Sequence, residues 1–198
     1  MKFQVRVVCL MLGLSLVSTC TPSVSATETP SSQNDHPLDT RTGTQNIDPV
    51  LAAVASHDPD QLRALIHYTT APCTTADGLG GPPKCSAGEA DGTMLEVLPV
   101  LGSEGGFIRR IDISTWSGVD ASAIYAVYRG DQTVPIEQYY PAGDYAVIYI
   151  SSEHEPAISL RVADGGIVRL DYLFTEPEGL RQVMDRDSVA VILAPKDR

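Results

Sequence analysis

A glycine-rich turn at residues 164–166 separates two apolar segments near the C-terminal end, and no other pattern in the chain limits the fold as tightly. β-Branched and apolar residues on both sides of an Asp-Gly pair predict an antiparallel hairpin. A three-residue turn sets Val162 opposite Val168 and Leu160 opposite Leu170, which keeps one face apolar, whereas a two-residue turn sets an arginine opposite Leu160. We therefore predict the three-residue turn.

The same register places Arg161 directly opposite Arg169 on the polar face of the hairpin. Like charges that face each other across two strands repel, so a negative group is expected to compensate them. Asp171 lies diagonally from Arg161 and is the simplest candidate. A bound carboxylate or phosphate is the functional alternative, because guanidinium groups bind both. Arg161, Arg169 and Asp171 are therefore candidate binding residues.

The remaining segments predict an α+β domain. Two Asp-Pro pairs predict the starts of helices at 49–56 and 59–67, each with a capping carboxylate before a proline. Apolar runs predict strands at 94–101, 122–128, 145–150, 158–163, 167–174 and 189–193, with short helices at 106–117 and 175–187. The expected fold is an N-terminal helical hairpin packed on a curved, mainly antiparallel sheet of about five to six strands.

This order of elements is similar to that of the cystatin-like and NTF2-like cone folds. The resemblance lies in the helical hairpin followed by a curved antiparallel sheet. Folds of this kind carry enzymes as well as binding and structural modules, so the resemblance is compatible with either class of function.

Two cysteines, Cys73 and Cys85, enclose a segment rich in glycine and proline that can form neither helix nor strand. A disulfide between them would close a short loop and stabilise the fold by about 3 kcal/mol. A redox pair usually has two-residue spacing, and a zinc site needs further cysteine or histidine ligands close by. The spacing therefore predicts a structural disulfide, with no metal or cofactor.

The N-terminus has the organisation of a secretory signal. Lys2 and Arg6 precede an apolar run at 7–17, which is too short for a membrane-spanning helix of about 20 residues. The sequence Val-Ser-Thr-Cys at 17–20 resembles the lipobox of bacterial lipoproteins. The resemblance implies a signal peptide at 1–19 and acylation of Cys20, and so a lipid anchor in the membrane.

Cleavage after Ala26 is the alternative, with a signal peptide at 1–26 and a soluble secreted product. Residues 20–46 are polar and predict a disordered tether. The remaining part, 47–198, has the length of a single folded domain.

The net charge of the chain argues against one class of partner, the nucleic acids. The chain has 25 acidic and 14 basic side chains and a formal net charge of −11. Such a chain is repelled by nucleic-acid phosphates, so we predict no nucleic-acid binding.

No catalytic motif accompanies these features. A Gly-x-Ser-x-Gly turn and a phosphate-binding glycine loop are absent from the sequence. Tyr139 and Tyr140 lie in a polar loop and are candidate binding residues, because exposed tyrosines can form an interface. The alternative is that their rings fill the core.

We therefore expect an exported, lipid-anchored envelope protein that acts as a non-enzymatic binding or interaction module. Its expected partners are the membrane, through the anchor, and an envelope protein or a small anionic ligand. The alternative is a small envelope or secreted hydrolytic enzyme with a pocket between helices and sheet. A pocket containing His67 beside an acidic residue would favour that alternative.

Overall fold

The computed structural model describes residues 35–102, 105–133, 138–151 and 156–196. Cys20 and both predicted cleavage sites lie outside these residues. Among the residues described, no helix combines the length and the apolar composition that a membrane crossing requires.

The described residues contain eight strands that form one mixed sheet. The strands are β1 (Thr69–Pro72), β2 (Met94–Leu101), β3 (Gly106–Arg109), β4 (Ala121–Gly130), β5 (Tyr145–Ser151), β6 (Ala157–Ala163), β7 (Gly166–Leu173) and β8 (Ser188–Leu193). Their spatial order is β1-β2-β7-β6-β5-β4-β8, and β3 pairs with β2 outside this path. Neighbouring strands are antiparallel except β2 and β7, which run parallel.

Helices are short and few. They are α1 (Asp48–Ala55), α2 (Pro59–Arg63), a 3₁₀ helix (Arg110–Thr115) and α3 (Pro177–Asp187). The Asp58 carboxylate caps α2 by accepting a hydrogen bond from the backbone N–H of Asp60 at 2.9 Å. Asp48 is instead the first residue of α1, and its carboxylate accepts the backbone N–H of Thr42 at 2.8 Å.

The predicted helical hairpin on a sheet of five to six strands is wrong. In the part of the chain that the structure describes, helices are few and short, and the main element is the eight-stranded mixed sheet. One cause is that α2 ends at Arg63, after which Ile66 forms a parallel bridge with Ile167 of β7. A second cause is that β1 and β3 are only four residues long, too short to show a periodic pattern. The predicted helix at 106–117 is in fact β3 followed by the 3₁₀ helix.

The central strands bury both of their faces. One face carries an apolar row across the sheet, Val127, Val147, Leu160 and Leu170, which belongs to the same core cluster as the apolar residues of α1 and α2. We call this the helical face. The opposite face carries Ala146 and Ile148, which cluster with Leu180 and Met184 of α3. We call this the α3 face.

The hairpin of β6 and β7 has the predicted pairing over most of its length. Leu160 lies opposite Leu170 and Arg161 lies opposite Arg169, as the apolar pattern requires. The predicted pairing of Val162 with Val168 is wrong, because Val162 pairs with Ile167 and the register shifts between Arg161 and Val162.

The reason is the turn itself. Asp164 and Gly165 both have positive φ angles, 51° and 78°, as in the tight two-residue turn that hairpins favour. Val168 is then an extra residue on β7, and this bulge restores the register that places leucine opposite leucine. Apolar pairing and turn geometry are thus both satisfied.

Residues 35–46, predicted to be part of the tether, already belong to the folded domain. The backbone of His36 pairs with Ile124 of β4, and its ring Nε2–H donates to the Ala194 carbonyl at 2.8 Å. Leu38 packs against the core of the helical face. The polar segment at 35–46 can join the domain in this way because backbone hydrogen bonds to β4 hold it. Leu38 is the apolar side chain that it adds to the core.

The predicted disulfide is confirmed. Cys73 and Cys85 are joined with a Cα–Cα distance of 5.0 Å. The bond closes the loop that follows β1, and Cys73 packs with Ala71, Leu95 and Val97 in a small cluster of its own.

Candidate functional site

A cavity of about 420 Å³ lies against the α3 face of the sheet. Its walls come from the ends of β2, β4 and β7, from β6, from the loop at 140–143 and from the last turns of α3. Six charged residues line it, namely Asp131, Arg161, Arg169, Asp171, Arg186 and Asp187. We call it the arginine cavity.

Strand register places the arginines. Tyr128, Ala146, Arg161 and Arg169 lie side by side across β4, β5, β6 and β7, and therefore share one face. Ala146 is small, and the Arg161 guanidinium lies over the Tyr128 ring at 5.8 Å from its centroid. A row of neighbouring strands thus holds the Arg161 side chain in one orientation.

Asp171 compensates both arginines. Arg161 Nε donates to Asp171 Oδ2 at 2.9 Å. Arg169 donates to both carboxylate oxygens, from Nε to Oδ1 at 2.6 Å and from Nη2 to Oδ2 at 2.9 Å. All three side chains are at most 8% exposed, so the interactions are little screened by solvent. The repulsion expected from the sequence is therefore balanced within the sheet.

A second carboxylate comes from the end of α3. Arg161 Nη2 donates to Asp187 Oδ2 at 2.9 Å, and Arg186 Nε donates to Asp187 Oδ1 at 2.7 Å. A negative charge at the C-terminus of a helix opposes the helix dipole, so this position needs such partners. Burial acts to raise the pKa of Asp187, but the hydrogen bonds from Arg186 and Arg161 outweigh burial and hold the pKa below its usual range.

The hydrogen-bonded cluster has one more positive than negative side chain. Three guanidinium groups face the two carboxylates of Asp171 and Asp187. Asp131 also lines the cavity, but its carboxylate accepts hydrogen bonds from the backbone and hydroxyl of Thr133, at 2.8 and 2.7 Å. The excess of arginine is therefore confined to the hydrogen-bonded cluster, because the cavity as a whole is lined by three arginines and three aspartates.

The donors of the arginines are used unequally. Each nitrogen of Arg169 has a partner, because its Nη1 donates to the Pro141 carbonyl at 3.0 Å in addition to the bonds of Nε and Nη2 with Asp171. Arg161 Nη1 donates to no described residue, and the same holds for both terminal nitrogens of Arg186. With respect to the described residues, donor capacity therefore remains at the Arg161–Arg186 side of the cavity.

The loop at 140–143 completes the wall. Gly143 has a φ of 72°, and an added Cβ there would lie 3.0 Å from the Cβ of Arg161. A glycine is thus required for the loop to approach β6 this closely. The Tyr140 ring packs on Phe107 of β3 with centroids 5.1 Å apart. This contact joins the loop to the other end of the sheet.

Four of the five binding residues expected from the sequence lie together. Tyr140, Arg161, Arg169 and Asp171 all line the cavity. Tyr139 does not line it and packs instead against the small cluster beside the disulfide.

Sequence reasoning missed Arg186 and Asp187. The only local signal for them is an aspartate at the C-terminal end of a helix, where the dipole disfavours it. The histidine whose presence in the pocket would favour an enzyme lies elsewhere. His67 is not part of the cavity, since its ring lies against Gly166 at the start of β7. Within the described ranges, no group of three or more histidine, cysteine, aspartate or glutamate side chains is placed to hold a metal ion.

Comparison with known proteins adds no family to this description: no family, curated protein or solved structure matches the chain. The geometry of the arginine cavity therefore carries the functional argument.

Proposed function

We propose that this chain is an exported, lipid-anchored binding module whose folded domain holds a small anionic ligand in the arginine cavity. The observation that carries the ligand part is a hydrogen-bonded cluster of three guanidinium groups and two carboxylates on the wall of a cavity of about 420 Å³. Cavities of about 300–1,000 Å³ are typical of small-molecule sites.

Rigid placement supports binding. Arg161, Arg169 and Asp171 project from paired strands, and their mutual hydrogen bonds fix their rotamers. Groups held on strands keep their geometry better than groups on loops, which lowers the entropic cost of binding. The wall is therefore preorganised for an acidic group.

The export part of the proposal rests on the leader at 1–20 and is tested separately. Protein recovered from the native membrane fraction is measured by intact mass with and without reductant. We expect a chain that begins at Cys20, carries the mass of acyl chains and gains two hydrogens on reduction of Cys73–Cys85. A chain that begins at Thr27 without added mass would contradict the anchor.

Ligand binding is tested by a nuclear magnetic resonance titration that follows the side-chain Nε–H signals of the arginines. The purified protein is titrated with acetate, benzoate and inorganic phosphate at constant ionic strength. We expect at least one anion to give saturable shifts at Arg161, with little change at the surface residue Arg110, which is 59% exposed and pairs with Glu96. Shifts that do not saturate, or that are equal at Arg110, would contradict the proposal.

A further inference from the structure

We infer that the ligand of the arginine cavity is an organic monocarboxylate with an apolar body, bound with its carboxylate between Arg161 and Arg186. This inference rests on the proposed function and names the chemical class that the site accepts. Three features of the wall support it: its charge, the spacing of its donors and the apolar side chains beside them.

The charge of the cavity wall limits the charge that a ligand can carry. The hydrogen-bonded cluster contains three guanidinium groups and two carboxylates. Asp131 also lines the cavity and makes the wall neutral overall, so a singly charged acid adds one negative charge to this partly enclosed site, whereas a doubly charged phosphate adds two. The charge balance therefore favours a singly charged acid.

Donor spacing sets the shape of the acidic group. Arg161 and Arg186 already hold one carboxylate between them, because each donates to a different oxygen of Asp187, at 2.9 and 2.7 Å. Arg161 Nη2 and Arg186 Nε therefore bind the two oxygens of a single carboxylate. Arg161 Nη1 and the terminal nitrogens of Arg186, which bond to no described residue, supply donors for a second carboxylate beside the first.

Apolar side chains form part of the wall. Leu101, Ala142, Leu173 and Val183 line the cavity together with the charged residues. These side chains offer no hydrogen bond to the outer oxygens of phosphate or sulfate, but they can bury the hydrocarbon part of an organic acid. The combination predicts an acid with an apolar body.

The test compares a series of probes by calorimetry or by the same nuclear magnetic resonance titration. The probes are acetate, butanoate, hexanoate, hexan-1-ol and inorganic phosphate, all at one ionic strength. We expect affinity to rise about threefold to fourfold for each added methylene group, as burial of hydrocarbon predicts. Hexan-1-ol and phosphate should each bind at least about tenfold more weakly than hexanoate.

Two variants locate the ligand. Arg186→Gln should weaken hexanoate about tenfold and leave the fold intact, because Arg186 is 69% exposed. Arg110→Gln removes the same charge from the surface and serves as the control. Val183→Thr keeps the size of the side chain but makes it polar, so it should weaken hexanoate while leaving acetate unchanged.

The outcomes distinguish a failure of the monocarboxylate inference from a failure of the proposed function. Tighter binding of phosphate than of hexanoate overturns the monocarboxylate and leaves an anion-binding module. Equal hexanoate affinity of Arg186→Gln and the unmodified protein overturns the proposed position of the carboxylate. Failure of every anion to bind overturns the proposed function itself.

Discussion

At the scale of single residues, the most consequential side chain is Asp171. It is only 4% exposed and receives hydrogen bonds from two guanidinium groups that face each other across β6 and β7. Such a cluster tolerates the loss of one member poorly, because the remaining charges stay buried without a partner. Asp171 is therefore required for stability as well as for the shape of the cavity.

The first prediction concerns this residue. Asp171→Asn should lower the free energy of unfolding by about 3–5 kcal/mol, because Arg161 and Arg169 lose the charge that balances them. Urea denaturation measures the change. Glu96→Gln is the control, since the Glu96–Arg110 pair is more than half exposed and its loss should cost less than about 1 kcal/mol. A similar cost for the two variants would show that Asp171 has no special role.

The second prediction follows from the lowered pKa of Asp187. A carboxyl group with a lower pKa in the folded state stabilises the protein above its unfolded value of about 3.9, and the gain is lost as pH falls through the folded value. Asp187→Asn should therefore be less stable than the unmodified protein near pH 7, and the difference should shrink below about pH 4.

Urea unfolding at a series of pH values tests this dependence. The neighbouring Asp185→Asn is the matched control on the exposed side of α3, and we expect it to differ from the unmodified protein by less than about 0.5 kcal/mol. A constant difference between Asp187→Asn and the unmodified protein down to about pH 3 would rule out the linkage.

At the scale of secondary structure, the β6–β7 hairpin shows how a sequence pattern and a turn cooperate. The turn at Asp164–Gly165 contains two residues, and the bulge at Val168 realigns the strands. As a result, the leucines share the helical face and the arginines share the α3 face. The position of the whole cavity depends on this one extra residue.

The third prediction tests the turn. Gly165→Ala should cost about 1–2 kcal/mol, because alanine is strained at a φ of 78° even though no atom lies within 4 Å of the added Cβ. Gly106→Ala in β3 is the control, since that site is equally open and its φ is not positive. Equal stability of the two variants would show that turn geometry does not limit the hairpin.

The hairpin also shows how much the sequence could predict. Alternation identified the Leu160–Leu170 and Arg161–Arg169 pairs, and cysteine spacing identified the disulfide, because these signals are local. The two four-residue strands β1 and β3 carried no periodic signal. The contact between Arg161 and Asp187 joins residues far apart in the chain, so no local pattern predicted it.

At the scale of the whole molecule, the sheet has a narrow junction. β2 meets β7 through only two residue pairs, Val100 with Leu170 and Leu101 with Asp171. On one side lie β1, β2 and β3 with the disulfide and its separate apolar cluster. On the other side lie the long central strands β4 to β7. The arginine cavity is lined from both sides, by Leu101 and by the β6–β7 hairpin.

The fourth prediction concerns this junction. The free energy of opening, as measured by amide hydrogen exchange, should be lower for β1–β3 than for β5 and β6. The reason is that few ladder hydrogen bonds join β2 to the central strands. Reduction of Cys73–Cys85 should lower the protection of β1–β3 further and leave β5 and β6 unchanged. Native-state hydrogen exchange with mass spectrometry measures both. Uniform protection across all eight strands would contradict the prediction.

The parallel pairing of β2 with β7 also has a consequence for the order of folding. Leu101 and Asp171 lie about seventy positions apart in the chain, so their pairing closes a long loop. Closing such a loop costs conformational entropy, and we expect it to follow the formation of the antiparallel β4–β7 ladder. Until then the wall that β2 contributes is missing, while Arg161 and Arg169 can already pair with Asp171 within their own hairpin. We therefore expect the cavity to be completed late in folding, so that ligand binding would report a fully assembled molecule.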